Sequence, residues 1–70
     1  MSSYRFIIKS NHEFKAEVVD ALKKVPGTLD VTNTVSVWYI WETTQENPSK
    51  MLDDLKNSGK INDWAKDAPL

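Results

Sequence analysis

Cysteine is absent from this 70-residue chain, glycine occurs twice, histidine once, and long apolar runs are missing. Each absence removes a class of function. Without cysteine there are no disulfides, no thiolate metal sites and no cysteine nucleophile, and a reducing, cytoplasmic setting is expected. Gly27 and Gly59 alone cannot supply a glycine-rich phosphate loop. Neither the order of a serine triad nor the spacing of a zinc site occurs, so no cofactor and no metal are expected. The longest apolar stretch, around Val35 to Trp41, falls far short of the roughly 20 residues of a spanning helix. The opening Met1-Ser2-Ser3-Tyr4-Arg5 lacks a signal-peptide layout, because Phe6-Ile7-Ile8 is broken by Lys9. An excess of positive charge is missing too. Nine basic and ten acidic residues give a net charge of −1, where a nucleic-acid binder is usually basic.

What is present reads as one small domain over residues 1–70, with 66–70 expected as a frayed tail. At this size only about 60% of the unfolded surface is buried on folding, so the core is small. Tyr4 to Lys9 alternates and predicts a strand, with Tyr4, Phe6 and Ile8 on one side and Arg5, Ile7 and Lys9 on the other. Ser10-Asn11-His12-Glu13 fits a capping box with Ser10 as N-cap. The following helix gathers Phe14, Val18, Ala21, Leu22 and Val25 into one stripe and stops at Pro26-Gly27. Thr28 to Thr32 and Val35 to Glu42 predict a hairpin turning at Asn33-Thr34. A second helix is expected with Asn47 capping, Pro48 first, Met51, Leu52 and Leu55 buried, and Gly59 beyond its end. Ile61 to Ala65 fits either a helical turn or an edge strand. The order β-α-β-β-α, with an optional last strand, predicts an α+β fold: an antiparallel sheet with two helices on one face. It becomes ferredoxin-like if the first strand inserts beside the hairpin.

From Tyr4 to Gly59 the chain resembles the heavy-metal-associated domains of copper chaperones and metal-pumping ATPases. The shared features are a strand, a loop, a helix ending in Ala21-Leu22-Lys23-Lys24-Val25-Pro26-Gly27, a hairpin, and a second helix closing at Ser58-Gly59. Those domains carry Cys-x-x-Cys in the loop before the first helix. Here the loop reads Lys9-Ser10-Asn11-His12-Glu13-Phe14, so the resemblance implies the fold and transfers no metal ligand to any residue.

Few residues invite chemistry. A lone His12 at a helix start reads as solvated, and so does the adjacent pair Asp53-Asp54, whose side chains diverge on a helix. Catalysis is not expected. The informative segment is Val35 to Glu42, where Val37, Tyr39 and Trp41 share one side and Trp38 and Ile40 the other. A strand with one wet face should alternate apolar and polar residues, and this one does so only at Ser36. Two helices cover one sheet face, so either Trp38 with Ile40 or Tyr39 with Trp41 must face outward. Trp38, Tyr39 and Trp41, with Arg5, Ile7 and Lys9 beside them, are the expected contact for a protein partner or a second copy. Two alternatives stand next to it. Trp64 folding back would cover the exposed aromatics, or the aromatics would stack single-stranded RNA or DNA with Arg5 and Lys9 on phosphates.

Overall fold

The computed structural model describes residues 3–67. Four strands and two helices follow one another as β1 (Tyr4–Ser10), α1 (Lys15–Lys24), β2 (Thr28–Val35), β3 (Trp38–Thr43), α2 (Ser49–Asn57) and β4 (Ile61–Lys66). The sheet order is β2-β3-β1-β4 and every neighbouring pair is antiparallel. β1 and β2 are therefore parallel strands joined through α1 with β3 between them. β3 and β4 are likewise parallel, joined through α2 with β1 between them. The fold is α+β, and the segment after Lys60 is the edge strand rather than a helical turn.

Both helices lie on one face. Phe6, Ile8, Val18, Leu22, Tyr39, Trp41, Leu52 and Ile61 form one buried cluster, so β1 and β3 point every second side chain at α1 and α2. Val18 and Leu22 are the buried positions of the α1 stripe; Phe14 and Val25 pack on its margin. The Trp41 indole N–H donates to Thr28 Oγ1 at 3.0 Å, and that hydroxyl donates to the Leu22 carbonyl at 2.6 Å. One relay thus ties β3, β2 and the end of α1, and it satisfies the only polar atom of the largest core side chain.

Local expectations shift in four places. Ser10 does not cap a helix. It ends β1, donates its N–H to the Val37 carbonyl and buries its hydroxyl without a partner, while Asn11 Oδ1 accepts from the Glu13 N–H. The hairpin turns at Ser36-Val37 instead of Asn33-Thr34, with Ser36 at φ 50°. Asn33 prolongs β2, and its amide donates to the carbonyls of Ser36 and Trp38, bracing the turn from outside. Pro48 occupies the N-cap position of α2, one place earlier than expected, and Leu52 N–H bonds its carbonyl. Lys66 closes β4 and the Asp67 N–H donates to the Arg5 carbonyl, so the sheet takes in the first residue of the segment expected as a tail. Residues 68–70 of that tail lie outside the described residues.

α2 ends in paired bonds, Lys60 N–H to the Leu55 carbonyl and Gly59 N–H to the Lys56 carbonyl, around Gly59 at φ 82°. Gly27 has φ 89°, and a Cβ there would collide with Thr44 Oγ1; a Cβ on Gly59 would meet nothing. Gly59→Ala is therefore expected to carry backbone strain alone, about 1–2 kcal/mol. Gly27→Ala adds a steric term at a turn held by Thr44 N–H and the Gln45 amide, and should be the more damaging of the two. Urea midpoints of both variants check the ranking; equal losses would show that the Thr44 side chain yields freely.

Candidate functional site

The residues of the sheet that point away from the helices form a surface that nothing among the described residues covers. The strand register arranges them in three rows. One row is charged: Asp30, Glu42 and Arg5, with Asp67 just past the end of β4. The middle row is Thr32, Ile40, Ile7 and Ala65. The third is Val35, Trp38, Lys9 and Asp63. Trp38 is 41% exposed and Val35 67%, while Ile7 and Ile40 are half-buried by their neighbours. The face is thus an apolar band about two side chains wide, bounded by charge.

Its electrostatics are those of an open surface. Arg5 reaches Glu42 at 3.3 Å and Asp67 at 3.8 Å, and Lys9 Nζ lies 5.6 Å from the centre of the Trp38 ring. Solvent-exposed pairs of this kind contribute about 0–1 kcal/mol each. They fix where the cations sit more than how stable the fold is. Asp63 is held below the ordinary carboxylate range, first by the Trp64 backbone N–H that bonds it and then by the Lys56 ammonium. It therefore stays ionised on this face.

No protein-family model, curated protein or solved structure matches the chain. The surface has to be interpreted from its own chemistry.

The six residues expected to form the contact do not all meet. Trp38, Arg5, Ile7 and Lys9 share the open face, whereas Tyr39 and Trp41 are 5% and 0% exposed and belong to the core. Alternation along a strand makes this unavoidable: Trp38 cannot share a side with its neighbours one and three places on. Ile40 takes the place next to Trp38, as one of the two alternatives for this strand required. Asp30, Glu42, Asp63 and Asp67 also lie on the surface, and it is the strand register, which no local sequence pattern carries, that brings them there. Trp64 does not cover Trp38. It packs on the helix side, 6.2 Å from the Phe6 ring, with its indole N–H donating to Asp53 Oδ1 at 3.0 Å. Asp53 is thereby an anchor for β4, and His12 lies exposed in the turn His12–Phe14. Among the described residues no three His, Cys, Asp or Glu side chains converge on a point where a metal ion would sit.

Proposed function

We propose that this chain is a non-enzymatic protein-interaction module, an adaptor or inhibitor, that docks a protein through the open face of its sheet. The observation that carries the proposal is Trp38, 41% exposed at the edge of an apolar band formed with Ile7, Ile40 and Val35 on an uncovered face. A tryptophan with aliphatic neighbours and a charged margin is the composition that binding hot spots favour. A ferredoxin-like, split β-α-β arrangement is part of the same proposal. The parallel pairs β1/β2 and β3/β4, each joined through a helix, support it. So does the likeness of its element order to heavy-metal-associated domains, kept as a likeness of scaffold only. A cytoplasmic setting completes the reading and rests on the missing cysteines; no helix among the described residues is long and apolar enough to cross a membrane.

The nucleic-acid alternative has Arg5 and Lys9 on the right face. It has one exposed aromatic there instead of three, and Asp30, Glu42, Asp63 and Asp67 surround it, which opposes a phosphate backbone. Protein docking is the better supported of the two.

Trp38→Ala should weaken partner binding by about 2 kcal/mol or more, roughly thirtyfold, with the fold intact. The check is affinity capture with wild-type, Trp38→Ala and Lys23→Ala proteins, Lys23 lying exposed on α1. Proteins held by wild type and Lys23→Ala but lost by Trp38→Ala support the proposal. Retention that ignores Trp38→Ala and Ile40→Ala alike would sink it.

A further inference from the structure

The three-row face is able to meet a second copy of itself across a two-fold axis. In a symmetric dimer the two-fold axis lies in the interface, and each residue meets the one that the axis carries onto it. Consider an axis running along the strands between β3 and β1. It places every face residue of β1 opposite its own register partner on β3 of the second copy. Arg5 then meets Glu42, Ile7 meets Ile40, and Lys9 meets Trp38. These are an opposite-charge pair, an apolar pair and a cation over an aromatic ring, the same pairings that already hold within one chain at 3.3 Å and 5.6 Å. The perpendicular axis through the middle row does the reverse, setting Arg5 of one copy against Lys9 of the other. Along the two inner strands complementarity thus exists for one of the two symmetric stackings and fails for the other.

We infer that the partner for this face is a second copy of the chain, stacked sheet on sheet about an axis that follows the strands; this rests on the docking role proposed above for that face. The dimension of the surface sets the strength. Four strands about 4.8 Å apart and about six residues long give a face of roughly 400 Å² per copy, or about 800 Å² in all. Stable complexes bury more, and weak, reversible ones fall below about 1,200 Å². The same axis sets Asp30 opposite Asp67 and Val35 opposite Asp63 at the outer strands; the twist of packed sheets separates these pairs, but they still oppose tight binding. The dimer is accordingly a weak, reversible one.

Sedimentation equilibrium of the full chain, from low micromolar to millimolar concentration, tests this. The expected result is a molar mass that climbs from one chain toward two. Arg5→Glu should weaken association at least about tenfold by setting like charges opposite each other. The exchange Arg5→Glu with Glu42→Arg should restore it. Ile40→Lys, at a half-buried position on the open face, should abolish association without relying on the ion pair. Circular dichroism confirms that each variant is folded. A mass that stays at one chain throughout overturns the second copy as partner and leaves docking to the capture experiment above. A dimer indifferent to both Arg5→Glu and Ile40→Lys uses another surface, which overturns the inference and counts against docking through the open face as well.

Discussion

Trp41→Ala is expected to lower the unfolding free energy by about 3–5 kcal/mol. A chain of this length has a total stability of about 3.5–10 kcal/mol, so the loss is a large share of it. Three contributions vanish together. The side chain is 0% exposed at the centre of β3, so its removal leaves a cavity in a core with few other layers to close it. Its ring stacks obliquely on Phe6 at 5.5 Å, fastening β3 to β1. Its indole N–H feeds the Thr28 hydroxyl that bonds the Leu22 carbonyl, so the link from β3 through β2 to α1 loses its first member. Trp41→Phe separates these effects. It keeps most of the ring and should cost about 1–3 kcal/mol, reflecting the lost N–H and some volume. Urea unfolding followed by far-ultraviolet circular dichroism reads both variants. A Trp41→Ala protein with near wild-type midpoint would mean that the helices close over the gap.

Leu52→Ala should cost about 2–5 kcal/mol, and the loss should be felt unevenly. Leu52 is the one fully buried residue of α2, with Met51 and Leu55 only half-buried beside it. The helix has no side-chain cap at Pro48. Its polar ties to the sheet are the Asp53 carboxylate accepting from Trp64 and the exposed Lys56–Asp63 ion pair. Amide hydrogen exchange resolved by residue should therefore show Ser49–Asn57 opening first, followed by β4, while α1 and the β2–β3 hairpin keep more of their protection. Loss of protection in equal measure everywhere would show instead that α2 unfolds only with the whole molecule.

Much of this architecture is legible in the residues, and the gaps have physical causes. The alternation of Tyr4 to Lys9 assigns Phe6 and Ile8 to the core, and the stripe Val18-Leu22 assigns α1 its inner face. Val37 to Trp41 defeats that logic, because five apolar residues in a row carry no period. What decides the face there is long-range: Trp41 has a hydroxyl partner at Thr28 and a ring partner at Phe6, and Trp38 has neither. Asn33-Thr34 has turn-forming residue types, yet the chain turns later; the Asn33 amide serves the turn by reaching across to it from β2. The capping box failed for a similar reason. Ser10 fits the motif in sequence, yet pairing of its backbone with Val37 keeps it in β1. Of the candidate site, the β1 share (Arg5, Ile7, Lys9) follows from the alternation alone. The acidic margin needs the register with β3 and β4, which no local pattern encodes.

The central position of β1 has a bearing on how the chain is made. Tyr4–Ser10 is synthesised ahead of both its partners, residues 38–43 and 61–66. α1 and the β2–β3 hairpin need only neighbours in sequence and can form as they appear. β1 has both edges open until β3 arrives and one open until β4 does, about 3–10 s later at an ordinary rate of translation. Through that interval its Phe6, Ile7 and Ile8 form an exposed apolar strand, the kind of segment that nascent-chain chaperones shield and that neighbouring ribosomes' products can trap.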